Sequence, residues 1–183
     1  MTQIYDTSGR ALNHIEMVYR PGERKLAAKI FEILGFDVVD DGGTYLVMNV
    51  EAAHRSGYNN VVYASEITDE QWRFEQLLQK QLAAAPDLAK AYAGFNEMIK
   101  AEPYLAGHFG IRMPSLDRFH EIVARINSKK DADVAGRVWI SLISTPGQVT
   151  PDLTQAWVKT DVFAAGLVTL GQHVELQYQP PRA

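Results

Sequence analysis

The stretch GHFGIRMPSLDRFHEIVARI, residues 107–126, alternates at first and then turns helical. Phe109, Ile111 and Met113 fall on one side of an extended segment and His108, Gly110 and Arg112 on the other, a period of two that predicts a strand. Ser115 is placed as an N-cap, and Phe119, Ile122, Val123 and Ile126 then recur at the spacing of one helix face. Residues 12–36, LNHIEMVYRPGERKLAAKIFEILGF, follow the same plan. There Ile15, Met17 and Tyr19 oppose His14, Glu16 and Val18. A helix with Leu26, Ile30, Phe31 and Leu34 inward follows, with Gly35 as its C-terminal cap.

The agreement continues beyond the two helices. After the first, FDVVDD and TYLVMNV flank Gly42-Gly43 as a hairpin, and NNVVYASEIT (59–68) is a further strand. After the second, RVWISLI (137–143) predicts a strand, STPGQVTPDLTQAW (144–157) a loop, KTDVFAAGL (159–167) a strand, and QHVELQY (172–178) the last strand. The chain therefore contains a long internal repeat of strand, helix and three strands. Between the copies lie two helices. Thr68 with Gln71 forms a capping box for the first, whose apolar stripe is Phe74, Leu77, Leu78 and Leu82. Pro86 opens the second, with Leu88, Tyr92, Phe95 and Ile99 on one side. The expected fold is α+β: two βαβββ modules in tandem, residues 10–69 and 106–180, forming a curved mixed sheet around a cavity, with a helical connection over 70–105.

Composition narrows the chemistry. A chain of 183 residues with 46% hydrophobic and 22% charged residues is long enough for a sizeable core. Its net charge of −4 and lack of a Lys/Arg-rich run argue against nucleic acid as partner. No run approaches the roughly 18 apolar residues of a membrane span, and MTQIYDTSGR lacks the apolar core of a signal peptide, so a cytoplasmic location is expected. With no cysteine, disulfides, thiolate nucleophiles and sulfur-ligated metal are excluded, and any metal sits on His or oxygen ligands.

The repeat also aligns reactive residues. His14 and His108 occupy equivalent places in the first strands of the two copies, and Glu66 and Glu175 lie in the last strands. Apolar alternates packed under the helices leave His14 and His108 facing the concavity, with Glu66 and Glu175 joining them if the last strands orient likewise. Two imidazoles with one or two carboxylates suit a divalent ion: Fe, Mn, Ni, Co or Zn. Arg112 and Glu16 share faces with these His residues and are candidates for substrate binding, as is His173 beside Glu175. His120, next to Glu121 on a helix, reads as a surface histidine, and His54 as part of a polar loop.

The repeated unit, the opening GHFGIRMPSLDRFHEIVARI and the closing GQHVELQY resemble the vicinal oxygen chelate superfamily, which spans glyoxalase I, extradiol dioxygenases, methylmalonyl-CoA epimerase and bleomycin-resistance proteins. The resemblance covers residues 10–69 and 106–180. It implies metal ligands at His14, Glu66, His108 and Glu175, a small oxygen-rich substrate held through two adjacent oxygens, and a homodimer. It favours an isomerase or lyase acting through a metal-stabilised enediolate, with Glu66 or Glu175 moving the proton. SEITDEQW departs from the pattern of glutathione-dependent glyoxalase, which disfavours that substrate. The alternatives are an Fe(II) extradiol dioxygenase on His14, His108 and Glu175, and a non-catalytic drug-binding protein.

Overall fold

The computed structural model describes residues 14–55, 60–128, 130–164 and 173–178. It is a mixed α+β structure. In chain order, β1 (His14–Tyr19), α1 (Arg24–Ile33), β2 (Asp37–Val39), β3 (Tyr45–Asn49) and β4 (Val61–Glu66) come first. Helices α2 (Asp69–Ala84) and α3 (Pro86–Ala101) follow, then a short 3-10 turn, Pro103–Leu105. The rest is β5 (His108–Arg112), α4 (Leu116–Asn127), β6 (Val138–Ser144), β7 (Thr154–Thr160), β8 (Phe163–Ala164) and β9 (His173–Tyr178).

The strands form two mixed sheets, ordered β2-β3-β4-β1-β8 and β5-β9-β7-β6. In each, the strand before the packing helix lies parallel to a later one, β1 beside β4 and β5 beside β9, while the other pairs are antiparallel. Strand β8 crosses from the second half of the chain to the edge of the first sheet, pairing Phe163 with Tyr19 and Ala164 with Val18.

The helices begin and end where the sequence places their signals. Ser115 Oγ accepts from Arg118 N at 3.1 Å, and Thr68 Oγ1 accepts from Gln71 N at 3.2 Å. Gly35, at φ 93°, closes α1: Phe36 N donates to Phe31 O and Gly35 N to Glu32 O, the paired bonds of a Schellman end that a β-carbon would strain. One continuous core joins both halves. Met17, Tyr19, Phe31, Leu46 and Met48 from the first pack in the same cluster as Met113, Phe119, Ile122, Val138 and Val158 from the second.

Two expectations fail. Residues 154–157, placed in a loop, begin β7, and the strand expected over 159–167 is described only as β8 at 163–164, with residues beyond 164 outside the described part. The Pro- and Gly-rich run is a tight turn: Thr145 N donates to Gln148 Oε1 and Gly147 N to Thr150 O, both at 2.7 Å. Residues 155–158 are buried on both faces, so the period-two signal of a half-exposed strand is absent. Second, the apolar stripes of α2 and α3 are largely uncovered. Phe74, Leu77, Leu88 and Phe95 are exposed, and the fully covered residues of the two helices are Glu75 and Ile99. Glu75 is bound by Gln71 Nε2 at 3.1 Å.

Candidate metal and substrate site

The β5–β9–β7 register assembles one face of the second sheet. In a ladder, directly paired residues share a face. His108 pairs with His173, Gly110 with Glu175 and Arg112 with Gln177. Across β9, Lys159 pairs with His173, Trp157 with Glu175 and Gln155 with Gln177. Phe109, Ile111, Ala156 and Val158 belong to the core side, against α4. The opposite side is therefore read in rows: His108, His173 and Lys159; then Gly110, Glu175 and Trp157; then Arg112, Gln177 and Gln155. The side chains of β9 lie outside the described part, so the placement of His173 and Glu175 rests on backbone pairing.

His108 is held in a specific orientation. Its Nδ1 lies 2.8 Å from Ala106 O, and a carbonyl only accepts, so Nδ1 carries the proton. The lone pair is thereby assigned to Nε2, the arrangement in which a backbone carbonyl orients an imidazole for ligation. Gly110, next on that face, adds no side chain between His108 and Arg112.

The connection between the two halves covers part of this face. Tyr104, in the 3-10 turn after α3, meets Trp157 edge-on with ring centroids 6.0 Å apart, and its hydroxyl donates to Glu102 Oε1 at 3.0 Å. That bond to a carboxylate pushes the Tyr104 phenol above its ordinary range. Trp157 is fully buried, and its indole Nε1 has no hydrogen-bond partner among the described residues. Beside it along β7, the Lys159 ammonium is pushed below the usual lysine range, by burial first and by the charge of Lys100 on α3 second.

On the first sheet, His14 begins β1 and pairs with Val61, and its ring meets Tyr63 edge-on at 5.5 Å. Tyr45 stands 6.0 Å beyond Tyr63 on β3. Glu16, two residues past His14, pairs with Tyr63. Aromatic rings therefore stand beside His14 on this face. Glu66 is elsewhere. It pairs with Tyr19, five residues along the ladder from His14 and roughly 16 Å away at strand rise. Its parity is that of Val62 and Ala64, the core side, and its Oε2 accepts from Gly22 N at 2.9 Å in the turn before α1. The structure does not bring Glu66 to His14.

Among the described residues no group of three or more His, Asp or Glu side chains is close enough to hold a metal ion. Arg112 is exposed at the end of β5 and lines a cavity of about 240 Å³ with Glu51 and Arg118. His120 is exposed on α4, its ring against Phe119. A cavity of about 490 Å³, lined by Lys29, Ile33, Arg125, Ile126 and Val134 among others, contains none of the expected site residues. Trp157 and Lys159 escaped the sequence reading because the strand that carries them was taken for a loop up to Trp157. With residues 155–158 buried on both sides, no half-exposed alternation marks Gln155, Trp157 and Lys159 as one face. No described helix is long and apolar enough to cross a membrane.

No family model matches this chain, and no curated protein matches its sequence. Solved structures similar to this chain include the following two. One is a glyoxalase/bleomycin resistance protein/dioxygenase from Alicyclobacillus acidocaldarius, 8% identical, with 91% of this chain and 89% of that one covered and a TM-score of 0.45. The other is described as a possible glyoxalase from Bacillus cereus, 11% identical, with 92% of this chain and 98% of that one covered and a TM-score of 0.41.

Proposed function

We propose that the chain is a metal-dependent enzyme of the glyoxalase/dioxygenase type, built from two βαβββ units over 10–69 and 106–180, that acts on a small oxygen-rich molecule. The observation that carries this reading is the β5–β9 register, which sets His108, His173 and Glu175 on one face, with the Nδ1 of His108 engaged by Ala106 O. Two imidazoles and a carboxylate, in a chain with no cysteine, are a donor set that fits Fe, Ni, Co, Mn or Zn. His108 and Glu175 are the ligands, with His14 of β1 as a third. Glu66 is left to the α1 turn. When bound, the ion supplies Lewis-acid polarisation of adjacent substrate oxygens.

The chain's own groups do the rest. Ala106 O holds the His108 ring, Arg112 offers a cation at the rim, and His173, paired with His108 in the ladder, is the group that would take or return a proton. An isomerase or lyase needs one such group to shuttle a proton between neighbouring carbons. The same His173 favours a second reading, an extradiol dioxygenase, which needs an acid-base histidine beside the ligands. The resemblance also implies a homodimer, and the exposed Phe74, Leu77, Leu88 and Phe95 offer apolar surface for one.

The test is metal content after anaerobic purification, for the parent and for His14→Ala, His108→Ala and Glu175→Ala. Near-stoichiometric iron lost in the variants ranks the dioxygenase first. Nickel, cobalt, manganese or zinc supports the isomerase or lyase. A parent that neither carries nor takes up metal sinks the catalytic reading and leaves a binding protein.

A further inference from the structure

The last turns of α1 and α4 line one cavity of about 490 Å³, which the proposed metal site does not use. Its floor is apolar. Ile33, Ile126, Val134 and Val138 keep 5–7% of their surface exposed there, while Phe31, Phe119 and Ile122 of the same core keep 0–1%. Trp139, 38% exposed, adds an uncovered indole. A hydrocarbon or aromatic body seated here would leave water together with that indole, in a space of the size that holds small ligands. The rim is charged. Lys29, Arg125 and Lys130 line the cavity with one carboxylate, Asp131. Asp131 is paired with Lys29 at 3.0 Å, and Glu32 acts on the same ammonium from outside the cavity. Arg125 repels Lys29 and donates to Glu32 O at 3.3 Å, a neutral carbonyl. Glu121, one turn before Arg125, is itself paired with Arg118 at 2.6 Å. The C-terminal dipoles of α1 and α4 offset about half a charge each, which with Asp131 still leaves the lining cationic.

We infer that this cavity binds an amphipathic carboxylate, with a hydrocarbon body on Ile33, Ile126 and Val138 and its acidic head between Arg125 and Lys130. Cations on long stems at the edge of an apolar floor match such a ligand in both of its parts. Entry needs no movement, because Arg125, Lys130, Ala135 and Trp139 are exposed around the cavity. Neither His108 nor Glu175 lines it, so the site is independent of the metal reading. A ligand held by α1 and α4 at once would clamp the two halves of the chain and raise the melting temperature with its concentration.

The full chain is titrated with sodium octanoate, sodium acetate and octylammonium chloride at matched ionic strength, below the concentration at which micelles form. Calorimetry reads affinity, and tryptophan emission reads location. Octanoate is expected to saturate one site, about tenfold or more tighter than acetate, which lacks the chain, and than octylammonium, whose head has the wrong sign. Trp139→Phe keeps most of the heat and loses most of the emission change, which separates this cavity from the exposed apolar surface of α2 and α3, where Trp72 lies. Lys130→Glu reverses a rim charge and Ala135→Phe fills the mouth, and each weakens octanoate about tenfold or more. Both positions are exposed, so both variants should fold, and Lys130→Arg, which keeps the charge, retains binding. Equal affinity for octanoate and octylammonium would overturn the anion. Octanoate binding unchanged in both variants, or no saturable binding at all, would overturn the site. None of these outcomes depends on metal content, so this inference and the metal reading fail separately.

Discussion

At the scale of single residues, the site is a matter of parity along strands. His14 and His108 lie on the faces that alternation assigns them, because Met17 and Tyr19 in β1, and Phe109 and Ile111 in β5, mark the core side without ambiguity. Glu66 was not legible in the same way. Val61 and Val62 are both buried, so the start of β4 shows no alternation from which to count, and only the pairing with β1 reveals that Glu66 falls on the core side. Its role follows from the bond to Gly22 N, in a turn where Gly22 sits at φ 72°. Glu66→Ala is expected to lower stability by about 1 kcal/mol, the worth of one partly exposed hydrogen bond. Glu66→Gln, which keeps an acceptor oxygen, should cost less, and both should bind metal as the parent does. Urea denaturation with metal analysis checks this, and metal lost in Glu66→Gln with stability intact would restore Glu66 as a ligand.

At the scale of elements, caps and turns were the most legible features because their chemistry is local. Thr68, Ser115 and Gly35 each act within a few residues of themselves. Burial by a distant element was not legible: Tyr104, over fifty residues upstream, lies against Trp157 on β7, a strand buried on both faces over residues 155–158. The β2–β3 hairpin is joined to α1 in a way that makes a prediction. Arg24 Nη2 donates to Asp40 Oδ1 at 2.7 Å and to Tyr45 O at 3.1 Å, and Asp40 also accepts from Gly42 N. The guanidinium first, and then the Gly42 N–H, hold the Asp40 carboxyl below its usual range. A carboxyl depressed in the folded state stabilises fully above its unfolded value, near about 3.9, and that stabilisation is lost as pH falls through the folded value. Asp40→Asn should therefore cost about 0.5–1 kcal/mol at pH 7, allowing for solvent screening of a partly exposed pair. The difference from the parent should shrink toward zero as pH falls through the lowered folded-state value. Stability curves from pH 7 to pH 2 measure it, and a gap that stays constant with pH would show that the ion pair is not its source.

At the scale of the whole molecule, the repeat in the sequence suggests two units, while the packing makes them one. Phe31 of α1 meets Phe163 of β8 edge-on at 5.2 Å, and β8 is a strand of the second half added to the first sheet. Arg137, before β6, donates to both carboxylate oxygens of Glu23 and to Asp161 Oδ1, so an ion-paired network ties the start of α1 to the turn before β8. Burial lowers the charged form of Arg137, yet Glu23 and Asp161 outweigh it and hold the guanidinium above its ordinary range. A core shared in this way should not melt in halves. Calorimetry is expected to give a single transition whose calorimetric and van't Hoff enthalpies agree. Phe163→Ala should cost about 3–5 kcal/mol, since it opens a cavity at the seam rather than within one unit. Hydrogen exchange should then find β4 and β6, which belong to different sheets, weakened together. Two resolved transitions, or loss of protection confined to β1 through β4, would mean that the sheets fold independently and that the seam at β8 contributes little.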